Sequence, residues 1–224
     1  MKKLWSAIKG LRAFVTVVRN TKSLEPIFEL RNSLASPELI APMIDDFKRT
    51  EEGRAAFRLL RRLPPWDLAA LDALPEGTLG RHFVNHLRAA AIDPAALPTL
   101  PAHDEYDYVA AHLYETHDLW HALTGFGVDE AGELGLQAFY LAQARAPLPL
   151  AILSAAFLNT AIYAMDDRIR RMDAIALGWR MGRDAKALFG LDWETLLREP
   201  LADVRRRYGI VPAVEPFAAS KLAA

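Results

Sequence analysis

Residues 106–126, "YDYVAAHLYETHDLWHALTGF", decide the reading of the fold. Apolar and small side chains recur through them every three or four positions until Gly125 and Gly127 interrupt the pattern. That period is helical, and glycine just past the last periodic residue is a helix-stop signal. At about 100° per residue, His121 falls about 40° and Asp118 about 100° from His117, so the three project from one side of the helix. Tyr114 lies about 60° round on the same wheel, a candidate substrate contact, and His112 points away. After the glycine-rich turn, "DEAGELGLQAFYLAQARA" (129–146) opens a second helix with Glu133 in or near its first turn. Helices joined by a tight turn are neighbours, so Glu133 is expected to face back toward the histidines.

Two imidazoles one turn apart with one or two carboxylates suit Zn²⁺, Mn²⁺ or Fe²⁺. The spacing alone also fits a partly buried histidine pair hydrogen-bonded to Asp118 or Glu133. A metalloprotease helix would read His-Glu-x-x-His, and here the shorter Asp118 stands at the glutamate position.

Downstream, "APLPLAILSAAFLNTAIYAM" (146–165) carries no charge. Pro147 and Pro149 shorten it to about 17 helical residues, roughly 25 Å, with Asn159 and Thr160 inside, so it is expected to be a central helix buried on all sides or one lining an apolar ligand cavity rather than a membrane span. The remainder to Pro212 reads as two further helices. Its Arg168, Arg170, Arg171, Arg180, Arg183 and Lys186 alternate with acids, the pattern of a solvated face. The rival is that Arg183 or Lys186 holds an anionic substrate group.

Upstream, "SPELIAPMIDDFKRTEEGRAAFRLLRRL" (36–63) offers Ser36 as N-cap and Pro37 at the first helical position, with Gly53 read as a break. Pro75, Gly77 and Gly80 read as a turn before a helix of about ten residues. Three prolines after Asp93 mark a linker. No convincing alternating strand or repeat appears, and the fold class is all-α: one helical domain with a metal site between two adjacent helices and an apolar, lipid-accepting cavity.

At the N-terminus Lys2, Lys3, Lys9, Arg12 and Arg19 precede any acid, and Leu4, Trp5, Ile8, Leu11, Phe14, Val15 and Val18 make one greasy face that leaves Lys9, Arg12 and Arg19 largely off it. Such a helix packs on the domain, lies on a membrane surface, or serves as an organellar targeting peptide. The chain thus divides into a basic amphipathic helix (1–24), a helical domain (25–212) and a flexible tail (213–224). A net charge of -1 and pI near 6.6 remove the basic field that nucleic-acid binding needs. Without cysteine, thiolate ligands, iron–sulfur clusters and disulfides are excluded, leaving His, Asp and Glu as strong metal ligands.

Four segments carry a family resemblance: "LPEGTLGRHFVNHLRAAAIDP", "YVAAHLYETHDLWHALTGFGVDEAGELGLQAF", "GWRMGRDAKALFGLDWETLL" and "PLADVRRRYGIVP". Together they resemble the ubiquinone (coenzyme Q) biosynthesis protein 4 family over most of the chain from about residue 25. The hallmark is His-Asp-x-x-His with a glutamate twelve residues after the second histidine, matched here by His117, Asp118, His121 and Glu133. The resemblance implies a divalent metal, zinc first with iron or manganese as options, held by His117, His121 and Glu133, with Asp118 as fourth ligand or orienter. It further implies oxidative decarboxylation, in which hydroxyl replaces the ring carboxyl at C1 of a polyprenylated 4-hydroxybenzoate-type precursor. The implied partners are that precursor, the other ubiquinone-biosynthesis enzymes, a peripheral membrane surface and a second copy in a homodimer. The implied location is the cytoplasmic side of a bacterial inner membrane, or the matrix side of the mitochondrial one.

Two other readings compete. One is a non-catalytic lipid-binding scaffold whose metal ties helices together. The other is an HD-type phosphohydrolase, with His82 or His86 upstream of His117 and Asp118 and with Asp166 or Asp167 downstream.

Overall fold

In the computed structural model, which describes residues 2–21, 24–63, 65–96 and 98–213, regular structure is helical. The helices are α1 (Lys2–Arg19), α2 (Leu24–Ser33), α3 (Pro37–Phe47), α4 (Glu51–Leu59), α5 (Leu68–Asp72), α6 (Leu79–Ala89), α7 (Glu105–Thr124), α8 (Glu130–Gln143), α9 (Pro147–Tyr163), α10 (Arg168–Asp184), α11 (Trp193–Leu196) and α12 (Leu201–Tyr208). Among the described residues the only extended pairing is an isolated antiparallel bridge between Thr78 and Pro200. The all-α expectation holds. The helical domain comprises two compact units, one from residues up to Met43 with Asp129–Arg183, the other from Ile44–Val128 with Asp184–Ala213.

In the second unit α7 is the central element. Asp104 caps it by accepting from the Asp107 N–H, and Gly125, at φ 78°, ends it with an N–H bond to the His121 carbonyl. A Cβ at Gly125 would lie 2.8 Å from the Ala213 carbonyl oxygen, so the turn requires glycine for both conformation and space. Arg205 of α12 donates to the Leu123 and Ala122 carbonyls at 2.8 and 3.1 Å, satisfying the end of α7 and clamping its last turn. Around its start, Tyr108, Phe57, Phe47 and Phe189 pack as an aromatic cluster, with the Phe47 and Phe189 rings stacked at 4.2 Å.

Two glycines differ from the turn roles expected of them. The break between α3 and α4 falls at residues 48–50, where Thr50 caps α4, and Gly53 lies inside α4 because a Cβ there would sit 1.8 Å from the Phe47 carbonyl oxygen. Gly80 is likewise helical, in the first turn of α6, where its N–H donates to the Leu197 carbonyl at 2.8 Å.

In the first unit α9 packs on α8 through Leu153 and Ala156 against Leu134 and Ala138, and on α1 through Ala155 against Val17 and Val18. Small residues permit the closest approaches: a Cβ on Gly178 of α10 would lie 1.9 Å from the Gly135 carbonyl oxygen of α8. Arg171, only 7% exposed, donates to Asp167, to Asn159 at 2.8 Å and to Thr160 at 3.1 Å, while Asn159 donates to the Val18 carbonyl at 2.8 Å. One buried network thereby ties α1, α9 and α10 together. That disposes of the polar pair inside the uncharged segment: Asn159 and Thr160 are the acceptors for a buried guanidinium.

Two expectations are corrected here. α9 is not buried on all sides, since Leu150, Phe157, Leu158, Ile162 and Tyr163 form an outward stripe and only the face carrying Ile152, Leu153, Ala155, Ala156, Asn159 and Thr160 is covered. α1 buries its narrow edge of Gly10, Ala13, Val17 and Val18 and leaves Trp5 (66% exposed), Ile8, Leu11 (66%) and Val15 facing out. By helical phase Arg12 and Arg19 fall within that exposed arc and not opposite it. No single helix among the described residues is long and apolar enough to cross a membrane. The tail expected beyond residue 212 lies outside the described residues, except Ala213, whose N–H bonds the Thr124 carbonyl at 2.8 Å.

Candidate functional site

His117 and His121 lie in the C-terminal half of α7, the part that Gly125 and Arg205 hold in place. His121 is 1% exposed, and its Nδ1 lies 3.0 Å from the Phe126 carbonyl, which accepts only if Nδ1 carries the proton. That tautomer, inferred from the partner, makes Nε2 the nitrogen that carries the lone pair. Nε2 of His121 lies 3.2 Å from Nε2 of His117, with the two rings at 89°. Two imidazoles bound at 2.0–2.1 Å to one tetrahedral zinc would place their nitrogens roughly 3.3 Å apart. The fixed ring, the oriented nitrogen and the spacing therefore fit a shared ion.

Asp118, adjacent in sequence, turns toward α6: its Oδ1 is 3.9 Å from Nε2 of His86. Burial pushes the Asp118 carboxyl up, but the imidazoles of His86, His117 and His121 together outweigh burial and hold it below its ordinary value. The His86 ring stacks on that of His121 at 5.4 Å and 18°. Tyr114 is raised, by burial first and then by the Asp118 charge, which places its hydroxyl in the same electrostatic surroundings. His82 is lowered by burial and by Arg205 and His86.

Glu133 sits in the first turn of α8, which Asp129 caps by accepting from the Gly132 N–H at 2.9 Å. The two imidazoles of α7, so spaced, suit Zn²⁺, Fe²⁺ or Mn²⁺, which take nitrogen and carboxylate ligands.

His112 and Asp167 have partners of their own. His112 is a core residue: Nδ1 faces the Arg61 carbonyl at 3.3 Å, Nε2 accepts from the Gly190 N–H at 3.3 Å, and burial pushes the imidazole down to about 4. Arg183 lies in the last turn of α10 and Lys186 follows the helix, and both are exposed. Asp167 is bound to Arg170 and Arg171, and Asp166 beside it is exposed. The Phe126 carbonyl that sets the His121 tautomer had no sequence signal, while His86 entered the sequence reading only as an upstream partner of His117 and Asp118 in the phosphohydrolase alternative.

The coenzyme Q (ubiquinone) biosynthesis protein Coq4 family model matches residues 3–214. The mitochondrial ubiquinone biosynthesis protein COQ4 homolog of Rattus norvegicus is 31% identical over 172 residues, covering 75% of this chain and 64% of that protein. The mitochondrial COQ4 protein of Pyricularia oryzae is 29% identical over 187 residues, covering 80% of this chain and 59% of that protein. The chain thus spans less than two thirds of the length of these curated relatives. The crystal structure of a candidate ubiquinone biosynthesis protein from Nostoc punctiforme superposes with a TM-score of 0.79 at 27% identity, covering 91% of this chain and 97% of that one. On the match across residues 3–214, with the His-Asp-x-x-His helix and its following glutamate in place, this chain belongs to the coenzyme Q (ubiquinone) biosynthesis protein Coq4 family.

Proposed function

We propose that this protein acts in ubiquinone biosynthesis as a metal-dependent enzyme that replaces the ring carboxyl at C1 of a polyprenylated 4-hydroxybenzoate-type precursor by hydroxyl, with loss of CO₂. The observation that carries it is the 3.2 Å separation of the His117 and His121 Nε2 atoms, with His121 already locked in the ligand tautomer by Phe126. Glu133 completes the set. Zinc is the expected ion, and when bound it would supply Lewis acidity toward substrate oxygen. The chain's own residues do the rest. His121 is held rigid by its second nitrogen, the arrangement that raises ligand basicity. Asp118 stays ionised beside the imidazoles, either as a further ligand or as the group that orients them. Tyr114 stands by as a substrate contact, and the exposed Arg183 and Lys186 are offered to its carboxylate. Zinc has no redox chemistry, so dioxygen takes the two electrons that the ring gives up: carboxylated ring, water and dioxygen become hydroxylated ring, CO₂ and hydrogen peroxide.

The isoprenoid tail and the membrane are met through the first unit. The exposed Trp5, Ile8, Leu11 and Val15 of α1, interleaved with Lys9 and Arg12, suit the headgroup region of an anionic bilayer, and the outward stripe of α9 adds Phe157, Leu158 and Ile162. The test is elemental analysis of the purified chain and of His117→Ala and Glu133→Ala, coupled to CO₂ release from a prenylated 4-hydroxybenzoate. One metal per chain, with both metal and CO₂ release lost in the variants, is expected. Metal bound without turnover would replace the enzyme by the scaffold reading, and absence of metal would refute the site.

A further inference from the structure

Helices fray from their ends, and in α7 the last turn carries His121 while His117 lies one turn further in. The four carbonyls of that turn have no partner inside the helix, and each is met by a donor of the same unit. The His121 carbonyl takes the Gly125 N–H at 2.8 Å, the Leu123 and Ala122 carbonyls take Nε and Nη2 of Arg205 at 2.8 and 3.1 Å, and the Thr124 carbonyl takes the Ala213 N–H at 2.8 Å. Three of these four bonds come from α12 and the segment after it. Pro212 abuts the same turn, since a Cβ on Gly125 would lie 3.1 Å from the Pro212 Cβ.

Arg205 is the odd member of its run. Arg206 pairs with Asp203 and Arg207 with Glu199, whereas Arg205 meets no carboxylate among the described residues and sets one edge of its guanidinium against the negative end of α7. The turn held in this way leads directly into Phe126, whose carbonyl meets Nδ1 of His121 at 3.0 Å. His121 is thereby fixed twice, its backbone by the clamped helix end and its ring by Phe126. Loosening residues 121–126 would release both, and with them the 3.2 Å spacing to His117.

We infer that Arg205 is a positioning residue for the His117–His121 pair, and that with the Ala213 N–H it makes the segment from α12 to Ala213 a clip that sets how tightly the pair holds a divalent ion. It acts through the backbone of α7 and the Phe126 carbonyl. The inference rests on the metal site proposed above.

The test is zinc affinity of the full-length protein by competition with a chromogenic chelator, measured beside the Tm of the metal-free form. Arg205→Met keeps the stem and removes both donors, and it should bind zinc about ten- to a hundredfold more weakly, the usual cost of losing a group that orients a metal ligand. Loss of a positive charge would by itself favour a dication, so weakening reports the lost clamp. Arg205→Lys offers a point charge without the fork and should fall between. Ala213→Pro deletes only the N–H given to Thr124 and should weaken zinc about tenfold. Asn159→Ala, which loosens the other unit, should bind zinc as wild type does. Zinc held by Arg205→Met and Ala213→Pro as tightly as by wild type or more so, with only Tm lowered, would overturn the inference and leave the proposed function intact. Equal weakening in Asn159→Ala would overturn it too, since general loss of stability would then suffice. If Arg205→Met does not fold, Arg205→Lys and Ala213→Pro decide the matter by the same criterion. Failure of wild type to bind zinc would remove the proposed metal site and the inference with it.

Discussion

His112 makes the stability of this protein depend on pH in a direction that can be worked out beforehand. It is 1% exposed, its Nδ1–H faces the Arg61 carbonyl, and its Nε2 lone pair accepts from the Gly190 N–H. Protonation would therefore turn one acceptor into a donor pointing at a donor, as well as bury a charge. Burial pushes the imidazole from its ordinary 6.5 down to about 4, against the opposing pull of the Arg61 carbonyl. The unfolded chain then takes up a proton first as the medium is acidified, so the folded state loses stability as pH falls from about 6.5 toward about 4 and keeps it in full above that window. Linkage gives a loss of about 2 kcal/mol between pH 7 and pH 5 from this residue alone, or about 4–8 °C in Tm for a chain of this size. The assay is urea unfolding of the metal-free protein in chelator at a series of pH values, for wild type and for His112→Leu. The variant should be less stable at pH 7, because Gly190 N–H and Arg61 C=O lose their partner. Its stability should nevertheless fall by about 2 kcal/mol less over the same pH interval. The carboxylates and His82 titrate in both proteins and cancel in the difference. Parallel pH curves for the two proteins would refute the neutral, doubly bonded His112.

Gly178→Ala should destabilise the protein by about 2 kcal/mol in urea unfolding, because overpacking against the Gly135 carbonyl, 1.9 Å from the new Cβ, exceeds the gain in helix propensity. An unchanged midpoint would mean that α8 and α10 do not approach so closely. Asn159→Ala removes the bond to the Val18 carbonyl and one acceptor of Arg171. Hydrogen exchange should show the last turn of α1 opening more readily, with a global loss of about 2 kcal/mol. Replacing Trp5 and Leu11 with Glu should abolish sedimentation with vesicles containing anionic lipid while leaving thermal stability nearly unchanged, since both side chains are already exposed. A large drop in Tm would show that they are covered in the folded protein.

What could be read from the linear chain is what local physics controls. The 3.6-residue period of residues 106–126 and the glycine that follows define α7, because helix phase and the αL cap are properties of neighbouring residues. The same phase puts His117, Asp118 and His121 on one side, and the spacing to Glu133 carries the family pattern. Gly53 and Gly80 show where that reading stops. Glycine in sequence looks like a turn, whereas here each clears a carbonyl from another segment, Phe47 for one and Leu197 for the other.

The amphipathicity of α1 was legible too, but not which arc it buries. The burying contact is made by the small residues Gly10 and Ala13, and only the position of α2 and α9 selects them over the bulkier stripe. The tautomer of His121 was beyond sequence reasoning because it hangs on the direction of one carbonyl, that of Phe126, in a glycine-set turn. The pairing of His86 with Asp118 was equally hidden. Helical phase places each on its own helix, while the 3.9 Å between them depends on how α6 crosses α7, and that crossing is settled by packing among residues far apart in the chain. Periodicity, caps and the donor pattern were therefore determined by the sequence on its own. Which nitrogen carries the proton, which apolar face is exposed and which carboxylate meets which imidazole were decided by tertiary structure, because those depend on distances that no local dihedral preference encodes.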